Sequence, residues 1–183
     1  MKQLLICVGI LVAATASLSA QQKPPASPPA TAMATLAGKS ITITYNSPRV
    51  KGREGHVFTS DGLIATAHGS QYPIWRGGAN AATTLMTNAD LRIGDLSVPK
   101  GTYTLFIDIS NPDQWNLIVN KKTGEWGLAY DKSADLGQVK MDMSKPPAMV
   151  EDLKYTITDL GGTQGKIALE WENKVASVPI SVQ

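Results

Sequence analysis

Cysteine is nearly missing from this chain. Its 183 residues include one, Cys7, set inside an apolar N-terminal run. With no second cysteine there is no disulfide framework, so apolar burial must hold the folded part together. A hydrophobic content of 43% is compatible with that. Histidine is almost as scarce. His56 and His68 are the only two, twelve positions apart, and without cysteine partners they do not make the ligand spacing of a zinc site. No Asp-rich twelve-residue loop offers calcium a seat either. No metal and no cofactor is expected. An excess of either charge sign is lacking too: 17 Lys and Arg face 15 Asp and Glu. No basic run suggests a nucleic-acid footprint, so nucleic acid is not an expected partner. Finally, no mature stretch repeats its apolar residues at the helical period.

The N-terminus has the build of an export signal. Lys2 supplies a positive start, Leu4–Ala14 is apolar and uncharged, and Ala16-Ser17-Leu18-Ser19-Ala20 is a run of mostly small residues before a cut at Ser19 or Ala20. The apolar run falls short of the ~20 residues a spanning helix needs, so no membrane span is expected after cleavage. Cys7 comes too early in the run to be a lipid-attachment site. Residues 21–35 follow as a Pro/Ala-rich tether: Lys23–Ala30 alone holds four of the eleven prolines and no large apolar side chain, a composition expected to stay extended and solvated. The folded domain is expected over 36–183, in the periplasm or outside the cell.

Beyond the tether the apolar period is two. Ile41, Ile43 and Tyr45 alternate with threonines. Thr83–Thr87 and Leu91–Ile93 follow, and then the pair Thr102–Ile109 and Trp115–Val119, joined through Asn111-Pro112-Asp113 as a hairpin. Val139, Met141 and Met143 alternate as one strand. Leu153, Tyr155 and Ile157, then Ile167, Leu169 and Trp171, and finally Val178, Ile180 and Val182 complete the series. Val50–Gly69 is less patterned, with a short strand expected at His56–Thr59. About nine or ten strands at this spacing predict an all-β fold, a single antiparallel β-sandwich of jelly-roll or Ig-like type.

Reactive constellations are sparse. His68-Gly69-Ser70 lacks the strained elbow that exposes a nucleophile. Gly161–Ile167 has the wrong glycine spacing for a phosphate loop and reads as a hairpin turn. Asp108, Asp113, Glu125, Asp131, Glu151, Glu170 and Glu172 could supply a carboxylate pair, although no spacing selects one. Both histidines read as surface or loop residues. The densest recognition chemistry lies in Tyr72–Thr84 and the basic stretch before it. Arg49, Lys51, Arg53, Trp75, Arg76 and Asn80 combine forked cations, an aromatic face and an amide, and Trp126 could add an exposed aromatic platform. Arg76 has a structural reading as well, as a buried guanidinium bonding loop carbonyls with Trp75 packed over it.

The order of these motifs resembles an exported bacterial family catalogued as domain of unknown function 2911. The pieces that match are Tyr45-Asn46-Ser47-Pro48, Lys51-Gly52-Arg53, Ile74–Asn80 with Thr83-Thr84, Val98–Leu105, Trp115, Asn120-Lys121, Trp126-Gly127, Leu169–Glu172 and Val178-Pro179-Ile180. The likeness spans Gly38–Val182 and implies a shared domain, with no activity attached. The chain departs from the family pattern in having Gly77 where threonine is usual, Ala81 where an acid often follows the asparagine, and Glu54–Phe58 in place of an early Phe-Gly.

The reading that follows is an exported, non-catalytic sandwich that binds a small polar ligand, a glycan or an envelope component. Two alternatives use the same scaffold: a glycosidase-like hydrolase built on a carboxylate pair, and a structural or protein-interaction module of the envelope docking through a sheet edge.

Overall fold

Alternating side chains become two packed antiparallel sheets in the computed structural model, which describes residues 25–124 and 126–183. The expected signal segment, 1–20, lies outside the described residues. The first sheet contains β1 (Pro29–Leu36), β2 (Lys39–Asn46), β4 (Thr83–Thr87), β7 (Gly101–Asp108), β8 (Asn116–Asn120) and β9 (Asp135–Lys140) in that spatial order, with the short β3 (Ile74–Trp75) also against β7. The second runs β11 (Val150–Gly161), β12 (Gln164–Glu172), β13 (Lys174–Val182), β5 (Leu91–Ile93) and β6 (Leu96–Val98), with β10 (Asp142–Ser144) also against β13. The inward rows interleave: Ile41, Ile43, Leu85, Leu105, Ile107, Leu117 and Val119 from one sheet meet Leu91, Ile93, Ile167, Leu169, Val178 and Ile180 from the other, all buried.

The predicted β7–β8 hairpin forms, with Leu105 opposite Val119 and Ile107 opposite Leu117. Phe106 is buried on the outer face of that sheet and meets Tyr130 edge-on at 5.0 Å. Four expectations need correction. Residues 29–35 are not tether: β1 pairs along its whole length with β2, and Ala32 and Leu36 are buried. The 139–143 strand is two strands, since β9 pairs with β8 in the first sheet while β10 pairs with β13 in the second. Buried Met141 marks the crossing, and its N–H donates to Trp115 O at 2.9 Å. His56–Thr59 is an irregular bend rather than a strand, and the chain then makes a helix, α1 (Leu63–His68). Among the described residues thirteen strands stand where nine or ten were expected, several of them only two or three residues long.

One irregularity positions everything that follows. Trp75 of β3 pairs with Ile107, so an unbroken strand would set Gly77 opposite Leu105; Thr83 stands there instead, and six residues are looped out. The loop leaves and rejoins the same edge of β7, its neck closed by Thr83 N–H to Arg76 O at 3.4 Å.

Candidate functional site

Side chains, rather than strand pairing, hold this loop open. Tyr155 Oη, fully buried beneath it, donates to Gly77 O at 2.9 Å; Trp75 Nε1 donates to Gly78 O at 3.0 Å; Arg76 Nη1 donates to Asn80 O at 3.0 Å. Gly77 has a φ of 63°, and a Cβ there would run into the Tyr155 hydroxyl. Glycine is therefore the residue this tyrosine requires at position 77.

Trp75 is core as well as loop. Only 1% exposed, it stacks on Trp171 with ring centroids 5.8 Å apart and 26° between planes, while Phe58 meets Trp75, Trp115 and Trp171. Against this aromatic floor the loop, α1 and the Pro48–Arg53 segment enclose a cavity of about 230 Å³. The basic segment reaches it because it lies along the start of β11. Val50 N–H donates to Glu151 O and Leu153 N–H to Pro48 O, and Ser47 Oγ donates to Leu153 O at 2.6 Å. From the other side α1 presents Leu63, Ile64, Ala67 and His68. Ala26 and Ser27 also line the cavity, and Ser27 O accepts from Asn46 Nδ2 at 3.2 Å.

Among the described residues four cations line the cavity, Arg49, Lys51, Arg53 and Arg76, and no Asp or Glu does. Arg49 is neutralised outside it, with Nε 2.8 Å from Asp152 and 3.8 Å from Glu151. Arg53 donates through Nη2 to Arg49 O, and its Nε is buried without a partner. Arg76 is the exceptional one. It is 7% exposed, its Nε has no partner, and no carboxylate among the described residues pairs with it. Burial lowers its pKa from the usual guanidinium value, because desolvation penalises the charged form. The backbone of Gly127 packs against its Cδ, so that a Cβ at 127 would clash with it.

His68 was expected at the surface. It is 5% exposed, its Nδ1 lies 2.9 Å from Ile64 O one helical turn back, and its Nε2 is buried without a partner. Its pKa falls from 6.5 to about 4, first through desolvation and then through repulsion from Arg76. The ring is therefore neutral at pH 7.

Of the seven residues singled out from the sequence, the fold brings five together at the cavity: Arg49, Lys51, Arg53, Trp75 and Arg76. Asn80 contributes its carbonyl to Arg76 and its Nδ2 to Ser27 O at 3.5 Å, and its side chain does not line the cavity. Trp126 is 60% exposed and bridges to Ala81 on the far side of the loop. Sequence reasoning passed over His68 and the apolar face of α1. Leu63–His68 between Gly62 and Gly69, with Ile64 and His68 four apart, was the available signal.

Most of the carboxylates considered for hydrolysis already hold a hydrogen bond or an ion pair. Glu172 accepts from Gly55 N–H, Glu151 from Lys51 N–H and Asp131 from Ser133, and Glu170 pairs with Lys154. Asp113 is exposed and Asp108 accepts from Ser110 N–H, while Glu125 lies outside the described residues. Among the described residues no group of three or more His, Cys, Asp or Glu is placed to hold a metal ion, and no helix is long and apolar enough to cross a membrane.

A family model described as "Protein of unknown function (DUF2911)" matches residues 27–180. The chain belongs to the DUF2911 family. The match begins two residues before β1 and takes in the whole cavity apart from Ala26. DUF2911 membership thus covers the sandwich and its looped-out β7 edge together. Neither the curated proteins nor the solved structures gave a match.

Proposed function

We propose that this protein is an exported, non-catalytic binding protein whose cavity takes a small anion with a short apolar arm. The carrying observation is Arg76, a guanidinium buried in a cavity wall without a carboxylate among the described residues to neutralise it. A buried charge left uncompensated costs several kcal/mol, and an anion entering the cavity would relieve that cost. Lys51 and Arg53 add positive potential at the same wall, and Trp75, Leu63 and Ala67 supply an apolar surface. A cavity of about 230 Å³ is below the ~300–1,000 Å³ of sites for drug-sized molecules, which favours a compact ligand over a glycan chain. That no acid among the described residues lines the cavity supports binding rather than hydrolysis, because an acid–base pair would have to act within reach of the bound molecule.

Thermal unfolding in an anion panel at matched ionic strength tests the reading. Small carboxylates or phosphate should raise the melting temperature of the wild type in a saturable way and leave Arg76→Met unmoved. Equal shifts in both proteins, or no shift with any anion, would refute it.

A further inference from the structure

The cavity is too small for a glycan chain, but the outer face of the first sheet lies open to one. On β1, β2 and β4 the large apolar residues point inward, which turns the alternate residues out. From Thr31 to Thr35, Ser40 to Asn46 and Thr84 to Met86 those outward residues are threonine, serine, asparagine and methionine alone. Strand register sets three of the threonines in a row, Thr31 opposite Thr44 and Thr44 opposite Thr84, with a repeat of ~4.8 Å. Thr31 and Thr44 are exposed, and their hydroxyls have no partner among the described residues. Thr104, next in the row, is closed over: it is buried, and its Oγ1 donates to Lys122 O at 2.7 Å. The segment after β8 thus walls the open row on that side. It carries Trp126, 60% exposed, whose backbone bridges to Ala81. Ala81, Ala82, Asn46 and the three threonines line one groove of about 290 Å³, and among the described residues no charged one lines it.

We propose that this face is a second binding site, for an uncharged polysaccharide, independent of the anion reading above. A sugar ring carries hydroxyls around its rim and a face of C–H groups. The threonine hydroxyls and the Asn46 amide can both donate to and accept from the rim. The exposed indole of Trp126 suits the other feature, since the negative face of its π system attracts polarised C–H groups. Charge selects the class. An acidic glycan would find no cation in the groove, whereas Lys51, Arg53 and Arg76 line the cavity instead. A second copy of the chain is the other occupant that an uncharged face suggests, and the dimensions disfavour it. Three strands are ~10 Å across and the eight residues of β1 reach ~27 Å. Such a strip falls well short of the ~800 Å² that each partner gives a stable interface. A single chain of sugar rings needs no more than a strip.

Titration of the purified protein with cellohexaose, laminarihexaose, mannohexaose and chitohexaose tests the proposal, read from the indole ¹H–¹⁵N signals. Trp75, Trp115 and Trp171 are buried, so Trp126 is the exposed reporter. At least one of these uncharged hexamers should move the Trp126 signal saturably, and hexagalacturonate, an acidic counterpart, should not. Trp126→Ala removes the aromatic platform and Thr44→Lys puts a long side chain across the row. Each should weaken calorimetric binding by about tenfold or more, and both positions are exposed, so the fold should survive either change. Silence from all four hexamers, equal binding of the acidic one, or affinity that persists in both variants would overturn the proposal. A dimer in sedimentation that Thr44→Lys dissociates would also overturn it, by giving the face to a second copy.

Discussion

Replacing Arg76 by methionine separates a binding residue from a structural fastener. The thioether nearly keeps the length and volume of the guanidinium stem, so the packing of Gly127 against it survives, and volume-conserving swaps of this kind cost less than ~1.5 kcal/mol. What goes is one charge-assisted hydrogen bond, Nη1 to Asn80 O at 3.0 Å. Stranding that carbonyl costs about 1–3 kcal/mol. On the other side, the fold no longer desolvates a cation that has no acid beside it, a cost of several kcal/mol for an ion in this setting. The second effect matches or exceeds the first. In an anion-free buffer Arg76→Met should therefore unfold at the wild-type urea midpoint or above it. Arg76→Ala removes the stem as well and leaves a void, and it should lose about 2–4 kcal/mol. Urea unfolding of the three proteins decides the matter. If Arg76→Met drops by more than ~2 kcal/mol, the guanidinium is a net stabiliser of the free fold, and the argument from its unpaired charge fails.

His68 ties stability to pH. Its pKa is about 4 in the fold and 6.5 without it, so between these values the unfolded chain binds the proton first and stability falls as pH drops through the window. The fall should be roughly 2–3 kcal/mol, and subtracting the curve of His68→Phe from that of wild type should reveal it; parallel curves would refute the shift. Tyr155→Phe leaves Gly77 O without its buried donor, at about 1–2 kcal/mol in denaturant unfolding. Gly77→Thr forces a side chain into the Tyr155 hydroxyl at a positive φ; it should destabilise wild type by more than the Tyr155→Phe change does, and a neutral result would contradict the loop geometry. If the chain is exported as proposed, N-terminal sequencing should find a start at Ala20 or Gln21, and an intact Met1 in a cytoplasmic fraction would exclude export.

Much of the fold is legible wherever one face of a strand is uniformly apolar. Leu91–Ile93 and the β7–β8 hairpin announce themselves because their inward residues are large and apolar, whereas Thr83–Thr87, with Thr83, Leu85 and Thr87 inward, is legible from its threonine content. β1 does not, because its inward residues are mostly alanines and its first residue is a proline, so its composition is that of a tether. The β9–β10 crossing is hidden for another reason: Val139, Met141 and Met143 keep the same period while the chain changes sheets. At the site, Arg49–Arg53 and Trp75–Arg76 were readable as recognition chemistry, but their meeting depends on Val50 bonding Glu151 a hundred residues away. His68 was obscured by the brevity of α1, whose six residues are too few to establish a period.

The most direct measurement follows the Arg76 Nε–H proton itself. In ¹⁵N-arginine-labelled protein, titration with a small carboxylate such as isovalerate and with phosphate should move the Arg76 Nε–H resonance saturably, as the guanidinium acquires a counter-ion. Arg92, whose Nη1 reaches Asp95 O elsewhere on the sandwich, should stay fixed and serve as the internal control. An Arg76 signal that stays still, or drifts linearly together with that of Arg92, would contradict the assignment of this cavity as an anion site.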